Sequence, residues 1–431
     1  MAKSNSKYEN YKKDDSTNSN LNSIVTFSDI TCAAFRIRNY ILRTPCTSIH
    51  LSEKSNLQLF VKKEFIQVTG SFKERGACFA LMSLSDSQKK KGIITASLGN
   101  HAQAISYHAG KFKIPSTVVM PVIAPLVKTE ACRQYGATVI IKGNNMKETK
   151  AYAQKYAEEN KLLYINGYDD PAVIVGQGTI GLEIIEDIPD VDVVVVPVGG
   201  GGLIAGVSLA MKTLNKNIKI IGVETERCPS FSKALEQGKP VTVECDNTLA
   251  DGLAVPQVGE NSYKIAASLI DKMIVLKEEW ISLAILRLLE QEKSVVEGAG
   301  AAGLAAVLAG HLNEFVGKKI VIILCGGNID SNILGRCIER SLVVDGRMLK
   351  FSVKLSDRPG GVSEMCKILA NLGASIKNID HERAWLTSEV FHVVVTVTCE
   401  TRNHKHVEII KNELKKKYKF VIFTEIPELK L

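Results

Sequence analysis

The 431-residue sequence predicts an α/β protein with two open, mostly parallel sheets, followed by a small α+β domain of ferredoxin-like βαββαβ order. Short runs of β-branched residues alternate with helix-length segments rich in Ala, Lys, Glu and Leu. Several runs are apolar without alternation, which is typical of strands covered on both faces. After Arg347 the order becomes strand, helix, strand, strand, helix, strand over roughly eighty residues, which indicates a separate domain.

The strands of the larger domain are predicted from their apolar runs. The predicted strands are 57–64, 92–97, 116–121, 137–143, 192–202, 218–224 and 318–328. The predicted domains are a disordered tail at 1–22, an α/β domain at 23–345 with a small subdomain inserted at about 58–160, and a regulatory-type domain at 347–431. The tail is rich in Ser, Asn, Lys and Asp, and too poor in aliphatic residues to form a core.

Composition excludes several classes of protein. Hydrophobic residues make up 45% of the chain, charged residues 23%, and the net charge of +8 suits small acidic ligands as well as polyanions. The ten cysteines are scattered without C-x-x-C spacing, which argues against a paired-cysteine zinc site and a disulfide scaffold. With no secretory signal and no apolar run of membrane-spanning length, we expect a cytoplasmic protein without membrane contact.

Four consecutive glycines follow an apolar strand in the segment PVGGGGL (197–203). Bare backbone that leads into a helix presents unhindered N–H groups at the positive end of the helix dipole, where phosphate binds. A flexible turn is the weaker interpretation, because a run of glycines carries an entropic cost. The chain lacks the nucleotide motifs G-x-x-x-x-G-K-[ST] and G-x-G-x-x-G with its acid, so the phosphate of a small cofactor is favoured.

Three further segments carry polar side chains at strand ends. VTGSFKERGA places Lys73 before a helix, ASLGNHAQA places Asn100 and His101 after a strand, and LCGGNID places Cys325 after another. Singly, these would be a solvated lysine, a turn and a packed thiol. Because the carboxyl ends of parallel strands meet at one edge, we expect these side chains to converge with the glycines. A nucleophilic amine, a phosphate cradle and polar turns together indicate pyridoxal phosphate.

These motifs resemble the fold-type II pyridoxal-phosphate enzymes, within them the threonine ammonia-lyase (threonine dehydratase) and serine racemase branch, over about residues 27–345. Other matching segments are TPC (44–46), MPVIAPLVK (120–128), GQGTIGLEI (176–184), TLADGLAV (248–255) and EGAGAAGLAA (297–306). LSDRPGGV and LGASIKNIDHER resemble an ACT domain. The resemblance implies a homo-oligomeric lyase, a dimer or tetramer, that converts L-threonine to 2-oxobutanoate and ammonia, with L-serine to pyruvate as a side activity.

The resemblance also implies roles for individual residues. Lys73 would hold pyridoxal 5′-phosphate covalently and, once released, remove the Cα proton of the substrate. The implied cofactor-binding residues are Phe72, Lys73, Asn100, Gly199, Gly200, Gly201, Gly202, Leu203, Gly252, Glu297 and Cys325. The implied contacts to the substrate carboxylate are Ser97, Gly99, Asn100 and His101. The implied contacts to an amino-acid effector are Asp357, Arg358, Pro359, Gly360, Gly361, Asn378 and His381.

Two positions depart from patterns within the branch. Serine racemases carry a hydroxyl residue directly before the Gly-Asn pair, where this chain has Leu98. Racemisation needs a proton donor on each face of Cα, so elimination with little racemisation is expected. Some relatives bind a divalent cation through an acid after I-G-V-E and another six residues later. Here Glu224 is followed by Ser230 at the second position, and no metal site is predicted.

Alternative functions remain open at this level. The nearest are a serine dehydratase, a serine racemase and a β-replacement synthase, and a catalytically silent amino-acid sensor is the non-enzyme alternative. The βαββαβ order is shared with RNA-binding domains, whose central strands need exposed aromatics for base stacking. The corresponding strands here offer only Phe351 and Phe391, so no nucleic-acid partner is expected.

Overall fold

The computed structural model describes residues 24–52, 56–383 and 391–425, so the predicted tail at 1–22 lies outside the described residues. The chain divides into two compact units. The first extends to Ala284 and resumes over Leu288–Ile329, and the second comprises Ile285–Arg287 and the chain from Asp330 onward. None of the helices in the described ranges is long and apolar enough to cross a bilayer.

A six-stranded sheet forms the centre of the first unit, in the order β1-β2-β10-β7-β8-β9. Its strands are Cys46–Ser48 (β1), Gln58–Lys62 (β2), Val193–Pro197 (β7), Lys219–Thr225 (β8), Lys272–Leu276 (β9) and Lys319–Ile323 (β10). All neighbours pair in parallel except β1, which runs antiparallel to β2. Every residue of β7 is buried, which explains its uninterrupted apolar sequence.

A second, all-parallel sheet of four strands has the order β5-β4-β3-β6. Its strands are Ile93–Ala96 (β3), Ser116–Met120 (β4), Thr138–Ile141 (β5) and Leu163–Tyr164 (β6). The two sheets confirm the predicted fold class. The predicted subdomain boundaries differ from this pairing, because β2 joins the six-stranded sheet and β6 extends the smaller sheet beyond residue 160. We therefore propose that the inserted subdomain is centred on residues 93–164.

Helices connect the strands of both sheets. The α-helices of the first unit include Phe27–Ile37, Lys73–Met82, Asp86–Lys91, Asn100–Phe112, Leu126–Gln134, Met146–Asn160, Pro171–Asp187, Gly202–Leu214, Ser230–Gln237, Glu260–Ala266 and Gly298–Leu308, while Glu278–Glu292 passes through residues of both units. The helix Gly298–Leu308 is almost entirely buried and built from Gly, Ala, Leu and Val. Its small residues permit close packing, since a Cβ on Gly303 would meet Ile322 of β10.

A buried ion cluster holds the helix Lys73–Met82 against the first unit. Arg75 is fully buried and donates to Glu64 (2.7 and 2.8 Å) and to Glu183 (2.7 and 2.8 Å). Lys62, also fully buried, donates to Glu183 (2.7 Å) and to the carbonyl of Thr44 (2.5 Å). The cluster therefore joins β2, the start of the Lys73 helix and the helix Pro171–Asp187.

The second unit is a four-stranded antiparallel sheet in the order β12-β13-β11-β14. Its elements in chain order are helix Ser331–Val344, Met348–Ser356 (β11), helix Gly361–Leu372, Ser375–Glu382 (β12), His392–Glu400 (β13), helix His404–Lys417 and Val421–Phe423 (β14). The order after the first helix is the predicted βαββαβ. Alternate residues of β11 and β13 form its core with the two later helices. The helix Ser331–Val344 groups with this unit rather than with the α/β domain, and the ion pair between Glu339 and Lys377 (2.6 Å) joins it to β12.

One covalent cross-link was not predicted from the sequence. Cys228 and Cys245 form a disulfide with Cα atoms 4.7 Å apart. It ties the segment after β8 to residues 240–250, which have no regular secondary structure and lead to Gly252. The other eight cysteines, all within the described ranges, form no disulfide there. No sequence motif marks this pair, because the two residues are 17 positions apart.

Candidate active site

Lys73 is the first residue of the helix Lys73–Met82, at the end of the segment that follows β2, and it is half-buried as a residue while its amine is covered. Its Nζ donates to the carbonyl of Gly167 (2.6 Å) and lies 4.9 Å from the centroid of the Phe72 ring. Burial lowers the pKa of Lys73 from 10.5 to about 8, despite the opposing influence of Cys325 and Glu297. A lysine with this pKa has a larger neutral, nucleophilic fraction near neutral pH than an exposed lysine.

The four glycines between β7 and the helix Gly202–Leu214 make a turn that no other residue type fits. Gly201 has φ of +93°, and the helix begins without a side-chain cap. A Cβ on Gly200 would overlap the Tyr168 ring, and one on Gly202 would overlap the Tyr168 backbone. A backbone this closely packed, at an uncapped helix start, is the arrangement that binds phosphate.

The segment Gly167-Tyr168 connects the lysine to the glycine run. Gly167 accepts the hydrogen bond from Lys73, and Tyr168 packs directly on Gly200 and Gly202. The Tyr168 carbonyl also accepts from Ser262 Oγ (2.7 Å). The amine and the glycine cradle therefore share one location, although they follow different strands. This segment was not predicted as part of the site, because its only signal is N-G-Y-D-D after the two-residue strand β6.

A substitution in the glycine run is expected to weaken cofactor binding. Gly200→Ala would push Tyr168 away, and we expect the affinity for pyridoxal phosphate to fall at least about tenfold, which corresponds to about 1.4 kcal/mol. Titration of the cofactor-free protein, followed by absorbance, measures this. Gly335→Ala is the matched control, because a Cβ on Gly335 meets open space. Equal affinities of the two variants would contradict the assignment of the cradle.

Cys325 lies at the carboxyl end of β10, where its carbonyl accepts a hydrogen bond from the Phe72 N–H (3.0 Å). Burial, and secondly Glu297, raise the pKa of the Cys325 thiol well above its ordinary value, against the opposing charge of Lys73. The thiol is therefore neutral at pH 7. Ser71 forms a β-bridge with Gly326, which holds the lysine segment against the end of β10.

Asn100 and Glu297 meet beside the glycines. Asn100 Nδ2 donates to Glu297 Oε1 (2.7 Å), and Asn328 Nδ2 donates to Asn100 Oδ1 (2.8 Å). A Cβ on Gly199 would lie 2.9 Å from the Gly252 carbonyl, and one on Gly252 would lie 3.8 Å from Glu297. Burial, and secondly the charge of Asp251, raise the pKa of Glu297 to about 7.

The loop after β3 places backbone N–H groups at the start of the helix Asn100–Phe112. Gly99 is the N-cap residue and offers no side chain, while its own N–H donates to Ser97 Oγ (3.3 Å). His101 is buried, and burial lowers its pKa to about 3, so its ring is neutral. A Cβ on Gly167 would lie 2.6 Å from the His101 ring. His101 therefore lies beside Gly167, whose carbonyl accepts the hydrogen bond from Lys73. The arrangement suits an anionic group of a ligand.

In the second unit, two of the residues expected to contact an effector are close together. Asp357 pairs with Arg383 (2.8 and 3.0 Å), and His381 Nε2 lies 3.8 Å from Asp357 Oδ1. The pair with Arg383 holds the pKa of Asp357 below its usual value. Asn378 instead donates to Asp380 on its own strand (2.8 Å). Arg383 was missed, because nothing in the sequence marks it as the partner of Asp357.

The remaining expected effector contacts lie in the loop after β11. Arg358 and Pro359 lead to Gly360, which has φ of +105° and begins the helix Gly361–Leu372. The guanidinium carbon of Arg358 lies 5.8 Å from the centroid of the Phe391 ring. Gly360 satisfies a backbone conformation that other residues rarely adopt.

Glu224 caps a helix in the structure. Its carboxylate accepts hydrogen bonds from the backbone N–H groups of Phe231 (2.6 Å) and Ser232 (2.9 Å), and from Ser232 Oγ (2.6 Å). Among the described residues, no cluster of three or more His, Cys, Asp or Glu side chains could hold a metal ion.

The side chains described above fit pyridoxal phosphate. The cofactor needs an amine for its aldehyde, backbone N–H groups for its phosphate and an apolar, closed surrounding for its ring. Lys73 supplies a covered amine with a lowered pKa, and the glycine run has no room for a Cβ beside Tyr168 and Gly252. Phe72 is buried beside the lysine and offers an aromatic face.

Comparison with known proteins agrees with this chemistry. Residues 37–326 match the family described as "Pyridoxal-phosphate dependent enzyme". The chain belongs to this family. Pyridoxal phosphate is therefore its cofactor, as the sequence predicted. Residues 351–415 match the ACT domain, which confirms the predicted identity of the C-terminal module.

Individual relatives fall in the predicted branch. The L-threonine ammonia-lyase of Thermotoga maritima is 44% identical over 392 residues, which cover 91% of this chain and 97% of that protein. The protein of the same name from Geobacter sulfurreducens is 42% identical, covering 88% of this chain and 94% of its own length. Maize serine racemase is similar in structure, with a TM-score of 0.70 and 34% identity, covering 74% of this chain and 98% of its own.

Proposed function

We propose that this pyridoxal-phosphate enzyme releases ammonia from L-threonine to give 2-oxobutanoate, and from L-serine to give pyruvate as a slower side reaction. The observation that carries the proposal is the buried amine of Lys73 beside the glycine cradle and the neutral Cys325 thiol. The substrate preference is supported by the relatives named L-threonine ammonia-lyase, which match nearly the whole chain.

The residues of the site divide the chemical tasks. When bound, pyridoxal phosphate supplies an aldehyde that links to amines and a ring that withdraws electrons from Cα. Lys73 would remove the Cα proton of the substrate, and its pKa of about 8 suits a base near neutral pH. Because the Cys325 thiol is neutral, it would not stabilise a positive charge on the cofactor ring as a carboxylate would. Rapid loss of a β-hydroxyl group is thereby favoured over reactions that need a long-lived carbanion.

Steady-state rates test the substrate. We expect kcat/KM for L-threonine to exceed that for L-serine, with ammonia and the 2-oxo acid formed in equal amounts. A higher value for L-serine would instead make the chain a serine dehydratase. Increased product in the presence of a thiol acceptor would indicate a β-replacement synthase. Cofactor that stays bound without turnover of either amino acid would indicate a silent sensor.

Leu98 is expected to limit racemisation. It stands in the loop that precedes Asn100, is half-buried, and has no proton to give. Since a positioned acid contributes about 100-fold or more, we expect D-serine to form from L-serine at least about 100 times more slowly than pyruvate. Chiral chromatography of the products measures this, and Leu98→Ser should raise D-serine formation while Leu98→Ala should not. Comparable rates of D-serine and pyruvate formation by the unaltered protein would contradict the expectation.

We further propose that the ACT domain binds an amino acid through the residues around Asp357, that isoleucine or valine inhibits the enzyme, and that the cytoplasmic chain assembles into dimers or tetramers. The ion pair of Asp357 with Arg383 supports a preformed charged site. Activity measured against increasing isoleucine or valine tests the regulation. An unchanged activity would mean that the domain serves only in assembly. Light scattering measures the mass of the assembly independently.

A further inference from the structure

Lys128 reverses the usual pattern of an amphipathic helix. It lies in the first turn of the helix Leu126–Gln134, where Leu126 and Val127 are 84% and 75% exposed. The Lys128 side chain is only 13% exposed. Apolar side chains normally take the buried positions, and lysine is rarely covered unless it is paired or functional. A positive charge is also unfavourable in the first turn of a helix. Two local preferences are therefore violated at one residue, which points to a function.

The covered ammonium faces the loop after β3. Lys128 Nζ lies 3.2 Å from the position of a Cβ on Gly99, the residue directly before the helix Asn100–Phe112. A side chain on Gly99 would displace it. The positive end of this helix and the Lys128 charge therefore converge on the same side of the loop. An anion placed between them would be stabilised by both.

The present partner of Lys128 is weakly held. Asp251 Oδ2 lies 3.3 Å from Lys128 Nζ, and the Asp251 side chain is 62% exposed. An ion pair with a largely exposed carboxylate contributes little to stability, which does not account for the burial of the lysine. Asp251 is the more exposed partner, and its Oδ1 also accepts a hydrogen bond from the Gly252 N–H (2.8 Å), whereas the Lys128 side chain is largely covered. The pair is thus asymmetric, with a fixed cation and an exchangeable anion.

The charges of Asp251 and Lys128 both act on Glu297 in the candidate active site. After burial, the charge of Asp251 contributes most to the raised pKa of Glu297, and Lys128 opposes it. Glu297 in turn accepts the hydrogen bond from Asn100. Movement of Asp251 would therefore change the electrostatic environment of the hydrogen bond between Glu297 and Asn100, which neighbours Gly99.

We propose that Lys128 is a substrate-binding residue whose ammonium exchanges the Asp251 carboxylate for the α-carboxylate of the amino-acid substrate. The proposal rests on the proposed function, because it requires an amino-acid substrate whose carboxylate reaches the loop at Gly99. The exchange conserves charge: one carboxylate leaves the ammonium and another takes its place. Lys128 adds the charge to a subsite that otherwise consists of main-chain N–H groups.

A ligand pair that differs only in the carboxylate tests this without turnover. 2-Methylalanine has no α-proton to lose, and isopropylamine is the same molecule without its carboxylate. Binding of each to the cofactor-loaded protein is followed by the change in cofactor absorbance. For Lys128→Met we expect a Kd for 2-methylalanine about 10- to 100-fold higher, the range for a lost charged hydrogen bond, and an unchanged Kd for isopropylamine.

Three further variants sharpen the result. Lys128→Arg should keep the affinity for 2-methylalanine within about tenfold, because the charge is retained. Asp251→Asn should raise that affinity about two- to fivefold, because the competing carboxylate is gone. Lys155→Met removes an equally positive but exposed side chain of the helix Met146–Asn160. This variant should leave the Kd of both ligands unchanged.

Three outcomes overturn the proposal: equal weakening of both ligands by Lys128→Met, no weakening of either, or a loss of 2-methylalanine affinity in Asp251→Asn. The first and third would make the ion pair a structural tether. Failure of the proposed function is seen separately, as absence of ammonia release from L-threonine by the unaltered protein. The binding contrast at Lys128 can be measured in either case.

Discussion

We expect Lys73→Ala to abolish ammonia release from L-threonine, with a loss of at least about 1,000-fold in kcat. The substitution removes the amine that donates to Gly167, and with it the proposed attachment point of the cofactor and the proposed base for the Cα proton. Borohydride treatment followed by denaturation should leave the cofactor on the unaltered chain and none on the variant. Mass spectrometry of the intact chain measures this directly.

Two controls separate chemistry from folding in this experiment. Lys90→Ala removes an exposed lysine of the helix Asp86–Lys91 and should keep full activity. The Lys73→Ala protein should retain cooperative unfolding, because truncation of a buried lysine relieves a desolvation cost. Persistent covalent cofactor in Lys73→Ala would assign the attachment to another lysine and overturn the site.

The second large effect is expected on stability. Arg75→Ala leaves the buried carboxylate of Glu64 without its main partner and leaves the half-buried Glu183 paired only with Lys62. The loss of one member of a buried pair costs about 3–5 kcal/mol. Denaturant unfolding of the cofactor-loaded protein measures the change. Arg43→Ala is the matched control, since Arg43 pairs with Glu186 and Asp187 at the surface and should cost about 1 kcal/mol or less. Similar losses for both variants would show that the cluster contributes no more than a surface pair.

The same cluster predicts a difference in acid. Burial raises the pKa of Glu183, but Arg75 and Lys62 outweigh burial and set it below the usual value. A carboxyl group with a depressed folded-state pKa stabilises the fold above its unfolded pKa of about 4.3, and this stabilisation disappears as the pH falls through the folded value. The unaltered protein should therefore lose stability more steeply below about pH 4 than Arg75→Ala does. Parallel acid profiles would contradict this attribution.

Much of the fold follows from local sequence. Seven strands were predicted from apolar runs, and each overlaps an observed strand, because covered parallel strands are apolar throughout. β1 and β6 have only three and two residues, too few to produce a pattern. β9 was missed because only its alternate residues Ile274 and Leu276 are buried, as on an edge strand. The sheet to which β2 belongs depends on pairing with β10, which no local pattern encodes.

The site was predictable where chemistry is concentrated in a short motif. Lys73 and the glycines stand in segments with unusual composition, and the structure brings them to one place through Tyr168. Tyr168 acts through contacts formed only on folding, and its sequence surroundings are ordinary. Asn328 stands in the segment LCGGNID, but its hydrogen bond to Asn100 also forms only on folding. Lys128 was overlooked for a different reason: the helix that carries it exposes its apolar residues, and a pattern-based reading assigns its lysine to solvent.

The Cys228–Cys245 cross-link makes the handling history of a sample a variable in its own right. A preparation kept in dithiothreitol and one kept in air are different molecules of nearly equal mass, separated by two hydrogen atoms. In the reduced molecule residues 240–250 lose this cross-link but keep the hydrogen bond from the Asp246 N–H to the Arg227 carbonyl (3.0 Å). These residues lead directly to Asp251 and Gly252. Kinetic constants from two laboratories can be compared only when the number of free thiols in each sample has been measured.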